Sequence, residues 1–101
     1  MIERALELGL ALPGVTRGPK GLQLRGRFLA GPAVHRSAEK DSLVVRYAIE
    51  EREHLLAERP EVYYLTDYYR RHPVLLVRLA QADDGVLRDL LLTSWRMTAA
   101  R

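Results

Sequence analysis

The sequence predicts an α+β, two-layer domain, an antiparallel sheet with helices packed on one face in the order α-β-β-β-α-β-β-α. Two observations carry this. Apolar residues recur at helical spacing near both ends of the chain, whereas the middle consists of short β-branched runs cut by Gly and Pro turn signals. The strand segments follow one another as meanders between the helices, which favours antiparallel pairing over parallel crossover units. At 101 residues the chain is long enough for a single core, so one domain is expected over residues 1–101.

Each element has its own local signal. Ile2, Ala5, Leu6 and Leu10 give an amphipathic helix from Ile2 to about Ala11, ended by Pro13-Gly14. Gly14 to Gly21, with three glycines and a proline, reads as a loop. Leu22 to Ala30 alternates, with Leu22, Leu24, Phe28 and Ala30 assigned to one face and Gln23, Arg25, Arg27 and Leu29 to the other. Gly26 then marks a tight hairpin turn. Ser42–Ala48 is a third strand, Ile49–Arg59 a charged helix stopped by Pro60, and Val62–Thr66 a fourth strand. Asp67–His72 reads as a compact turn in which Asp67 caps, and Val74–Ala80 is a fifth strand. The last helix starts at a cap supplied by Asp83 or Asp84 and places Leu87, Leu90, Leu91, Trp95 and Thr98 on one face.

Composition removes several function classes. Without cysteine there is no disulfide, thiolate metal site or thiol nucleophile. Apolar runs such as Val74–Val77 fall far short of the roughly 20 residues of a membrane span. Glu3 and Glu7 are foreign to a secretory leader, so a cytoplasmic location without membrane partners is expected. The segment Gly14–Gly21 lacks the spacing of a phosphate-binding loop and has no Ser or Thr after Lys20. His35, His54 and His72 are too scattered for metal ligation and are expected to be solvated where they lie in charged segments. Ser37, Ser42 and Ser94 lack a nucleophile's setting, and Glu50, Glu51 and Glu53 form a solvated helix face. No enzyme activity, metal or cofactor is predicted.

Two features remain as candidate sites. The net charge is only +3, but no Asp or Glu occurs between Leu8 and Ala38, where Arg17, Lys20, Arg25, Arg27 and Arg36 stand. A basic hairpin of this kind can lie along phosphates, so DNA is the leading expected partner, with Arg70 and Arg71 as a second contact. The other feature is the stretch YYLTDYYRRHP, residues 63–73, which holds four of the five tyrosines. Tyr63, Tyr68, Tyr69 and His72 are the candidate lining of a groove for a small ligand or another protein, a second copy included. Strand alternation places Tyr63 and Tyr64 on opposite faces, and Tyr68 or Tyr69 is expected under the final helix near Trp95.

The segment PEVYYLTDYYRRHPVLLVRL, followed by an acidic turn and a helix ending in Ser94-Trp95-Arg96, resembles the MmcQ/YjbR-like family of small bacterial proteins. So do Ala11–Thr16, the hairpin Leu24–Ala30, and the run from Leu43–Arg46 to Glu50–Glu53, so that nearly the whole chain is covered in the same order. The resemblance implies an α+β sheet similar to secretion-chaperone-like domains, and DNA binding through wing-like hairpins, with no catalytic residues. The chain departs from the family pattern at Gly18–Gly21, at Ala48-Ile49 in place of an Asp-Pro helix start, and at Val74 in place of an aromatic.

Overall fold

The computed structural model describes residues 1–100. The elements are α1 (Ile2–Leu10), β1 (Val15–Gly18), β2 (Gly21–Leu24), β3 (Arg27–Pro32), β4 (Ser42–Arg46), α2 (Arg52–Glu58), β5 (Tyr63–Tyr64), α3 (Asp67–Arg70), β6 (Val74–Arg78) and α4 (Asp84–Ala99), with a 3-10 turn at Leu79–Gln81. The strands form one six-stranded sheet in the order β1-β2-β3-β4-β6-β5, and every pairing is antiparallel. This is the α+β architecture that the meander pattern predicts.

The inner face of the sheet carries the main core. Leu43, Val45, Leu75 and Val77 alternate inward from β4 and β6 and meet Ala5 of α1 and Leu87, Leu90 and Leu91 of α4. Helix α4 begins at Asp83, whose side chain accepts the Val86 N–H at 2.9 Å, and α1 is tied to its start by two Arg4 nitrogens on Asp84 Oδ2. The deepest α4 position beside the leucines is Ser94, fully buried, rather than Trp95. Trp95 lies on the flank, packing on the cluster of Leu6, Val15, Leu22 and Leu29 and donating its indole N–H to Pro13 O at 2.8 Å. Among the described residues, no helix is long and apolar enough to cross a membrane.

Two local expectations are corrected. Val15–Gly18 is an edge strand paired with β2, and the expected loop shrinks to the turn at Pro19-Lys20. Gly and Pro here punctuate a tight hairpin instead of a long loop, because β-branched Val15 and Thr16 find a partner strand. Gly31 lets that turn fold against β3, since a Cβ there would collide with the Lys20 carbonyl oxygen. The second correction concerns alternation in β3. Leu22 pairs with Ala30 while Gln23 pairs with Phe28, so Leu29 is an extra bulged residue. The bulge turns both Leu29 and Ala30 inward, each fully buried, and sends Phe28 to the outer face, where it packs against Val44, Tyr69 and Leu76.

The β2–β3 hairpin turns on Arg25-Gly26, both with positive φ (54° and 78°), the geometry of a two-residue type I′ turn. Gly26 adopts it freely, whereas Arg25 does so at a cost. Arg25→Asn, which favours the left-handed region, is therefore expected to stabilise the fold by a few tenths to about 1 kcal/mol. Urea unfolding of the two proteins measures this, and a lower midpoint for Arg25→Asn contradicts the turn assignment.

Candidate functional site

The outer face of the sheet is covered by short pieces. Residues 33–41, between β3 and β4, run back across it as a strap, and α3 lies beside the strap with Tyr69 packed on Val44 and Leu76. Asp67–Arg70 is thus a single helical turn, and its cap is Thr66, whose Oγ1 accepts the Tyr69 N–H at 3.4 Å, rather than Asp67. Neither Tyr68 nor Tyr69 lies under α4. They face the opposite side of the sheet from Trp95, because Tyr69 packs on Val44 and Leu76, the residues that β4 and β6 turn outward.

Tyrosine hydroxyls hold the strap down. Tyr69 Oη accepts the His35 N–H at 3.0 Å, Tyr64 Oη accepts the Glu39 N–H at 2.8 Å, and Tyr64 Oη also meets Ser42 Oγ. Ser37 Oγ bridges to Thr66 Oγ1 at 2.8 Å and lies 2.8 Å from His35 Nδ1. Arg78 grips both Glu39 carboxylate oxygens at 2.8 Å while its guanidinium lies 4.4 Å from the Tyr64 ring centroid. Those hydrogen bonds from Arg78 hold the Glu39 carboxyl below its ordinary value. His35, expected to be solvated, instead stacks on Tyr68 with centroids 3.7 Å apart and planes 4° from parallel. Tyr69 meets both rings edge-on, and His72 tilts against Tyr68 at 5.5 Å.

The position of α3 is set from the other layer. Arg52, at the start of α2 and only 3% exposed, sends its guanidinium to Arg70 O at 2.5 Å, His72 O at 2.7 Å and Val74 O at 2.8 Å. It faces no carboxylate in these bonds. Desolvation, and then the charge of Arg70, push its pKa down, yet arginine remains charged.

The candidate basic residues separate into groups. Arg25 and Arg27 stand exposed at the β2–β3 tip. That tip is at the sheet end where β6 begins, since Arg46 Nε donates to Phe28 O at 2.6 Å and Arg46 pairs with Val74. Arg70 and Arg71, exposed at the end of α3, belong to the same end. Arg36 sits exposed on the strap beside His35 and is carried to α3 by the His35–Tyr68 stack. Lys20 lies at the opposite end of β2, and Arg17 is engaged with Glu3 at 3.2 Å. Arg4, Arg59, Arg78 and Arg88 also meet carboxylates, whereas no such pair within 4.0 Å involves Arg25, Arg27, Arg36, Arg70 or Arg71 among the described residues.

The four residues expected to line a groove do not share one. Tyr63 is buried among inner-face residues, since alternation in β5 turns it away from outward Tyr64, while Tyr68, Tyr69 and His72 belong to α3 and the turn after it, which lie on the outer face. Tyr63 borders a cleft of about 420 Å³ between α2 and α4, shared with Tyr47, Arg59, Asp89 and Thr93. Burial raises the pKa of both phenols, assisted at Tyr47 by the charge of Glu51. Sequence reasoning missed His35, Arg52 and Tyr64, whose roles depend on partners 18 to 34 residues away. Among the described residues, no His, Asp and Glu grouping suits a metal ion.

Uncharacterised proteins of Mycobacterium bovis and of two Mycobacterium tuberculosis strains are each 36% identical to this chain over 47 residues. The match covers 46% of this chain and spans only 36% of the length of each relative. No family model and no solved structure matches the chain.

Two measurements probe this arrangement. Arg52→Met leaves three part-buried carbonyls without their Arg52 donor and is expected to lower stability by about 2 kcal/mol, even after relief of the buried charge. Arg52→Lys recovers less than half, because one ammonium cannot reproduce the guanidinium fork. Denaturant unfolding reports both. The second measurement is acid titration. Since the folded-state pKa of Glu39 is depressed, its contribution is present above its unfolded value of 4.5 and disappears as pH falls through the lower folded value. In Glu39→Gln, that component of the acid-side decline in melting temperature is expected to vanish.

Proposed function

We propose that this protein is a non-enzymatic nucleic-acid-binding module of MmcQ/YjbR-like type that holds phosphates at the Arg25-Gly26-Arg27 tip and the end of α3. The observation that carries this reading is electrostatic. Arg25, Arg27, Arg70 and Arg71 occupy one end of the sheet, exposed and without carboxylate partners among the described residues, while Arg4, Arg17, Arg59 and Arg88 elsewhere on the surface are paired. Cations left unpaired carry their full charge to an incoming phosphate, and association releases the counterions condensed on the nucleic acid. The half-buried Phe28 lies between the two basic elements and supplies an apolar floor. Lys20 and Arg17 fall outside this reading, one by position and the other by its partner.

Four phosphate contacts imply that the logarithm of the duplex affinity falls with the logarithm of salt at a slope of roughly −3 to −4. Fluorescence anisotropy with a labelled duplex and with its single strand measures that slope. Arg25→Asn with Arg27→Gln is expected to weaken binding at least tenfold and to reduce the slope by about two. Absence of binding to either form at low ionic strength refutes the proposal. Small-ligand binding is the second reading, favoured by the cleft at Tyr47 and Tyr63, whose volume lies in the range of ligand sites. Thermal stabilisation by small metabolites and not by DNA would select it.

A further inference from the structure

We propose that the His35–Tyr68 stack is a docking place for an unpaired base, which makes single-stranded nucleic acid the partner of the basic end of this fold. The inference rests on the phosphate-binding reading above and names its substrate class. Its basis is a different set of observations, namely the rings.

Two planar side chains from separate segments, the strap and α3, are already stacked within 4° of parallel. Tyr69, itself buried, meets both rings edge-on and backs the pair from the sheet side. The stack is nevertheless open to solvent. Tyr68 is 39% exposed, His35 is half-buried, and Val34 beside it is 88% exposed, an apolar side chain that the fold does not use. Held rings accept a third planar group with little loss of side-chain freedom, and every nucleobase has a face that can be added to such a stack.

The charges lie at the right spacing for a nucleotide. Tyr69 points into the sheet, so on a single helical turn Tyr68 and Arg71, three residues apart, share the outward side with Cβ atoms roughly 5–6 Å apart. Arg36 adjoins His35 on the strap, and Arg70 follows Tyr69 on the other flank. A base on the stack therefore has its phosphate within reach of Arg71, and the next phosphates can follow toward Arg25 and Arg27. A duplex does not offer this contact, because its bases are already stacked and paired. Asp67, exposed at the start of α3, is the one acidic neighbour on that turn and faces the entry rather than the end where the arginines stand.

The test uses the full chain and three labelled probes of equal length: an oligothymidylate, the same backbone made abasic, and a thymidylate–adenylate duplex. Wild-type protein is expected to bind the oligothymidylate about tenfold more tightly than the abasic strand, and more tightly than the duplex at equal salt. Tyr68→Leu, with retained circular dichroism and cooperative melting, is expected to lose that tenfold preference while binding the abasic strand as before. An upfield shift of the Tyr68 ring protons on adding oligothymidylate, absent with the abasic strand, reports stacking on the unaltered protein. Equal affinity for base-bearing and abasic strands, or tighter binding of the duplex, overturns the inference while leaving the phosphate reading intact. Binding of none of the probes overturns both.

Discussion

A single guanidinium joins the two layers of this protein at one end of the sheet. Arg52 begins a helix of the inner layer, yet its hydrogen bonds go to carbonyls of Arg70, His72 and Val74, the segment that leaves α3 and enters β6. Burying a cation costs several kcal/mol unless its donors are met. Here three backbone oxygens meet them, and those oxygens in turn gain a donor at a place where neither a helix end nor a strand start supplies one. The exchange favours one geometry only, since a planar fork fits a particular arrangement of carbonyls. Because α3 is too short to be stable by itself, its position on the outer face depends on that arrangement together with Tyr69 packing underneath.

The rest of the outer face depends on α3 in turn. Once α3 is placed, Tyr69 and Thr66 can bind the strap through His35 and Ser37, while Tyr64 and Arg78 bind it at Glu39. The tyrosine-rich stretch is therefore mainly a clamp. Its phenolic oxygens satisfy backbone N–H groups of a segment that has no strand partner of its own, and the clamped strap covers this face as helices cover the inner one. The same clamp decides which charges remain available. Arg78 is consumed by Glu39 and the strap, and Arg52 by the α3–β6 junction, whereas Arg36, Arg70 and Arg71 are left facing solvent beside a preformed ring stack.

Much of the fold was legible because periodicity reports burial directly. The helices at 2–10 and 84–99, the hairpin at Gly26, and the central strands at 42–46 and 74–78 lie where their apolar patterns place them. The misreadings share a cause: each residue concerned is governed by pairing or packing against another element and not by its own local pattern. β1 exists because β2 pairs with it, Leu29 turns inward because a bulge shifts its register, and Ser94 displaces Trp95 from the deepest position because a small side chain allows closer approach. For the candidate site, the basic character of Arg25, Arg27, Arg70 and Arg71 was visible, but not the separation of Tyr63 from Tyr68 and Tyr69.

The sequence by itself determined the class of the fold, the positions of its long helices and central strands, and the surplus of arginine over acid between Leu8 and Ala38. These are properties of local spacing and composition, which the chain carries whether folded or not. Only the tertiary structure decided which arginines keep their charge unpartnered, which face each tyrosine takes, and that His35 and Tyr68 meet as a stack. Those outcomes depend on groups 14 to 39 residues apart coming within hydrogen-bond or ring-contact distance. No periodicity encodes such distances, because they are set by where the sheet and Arg52 bring the segments together.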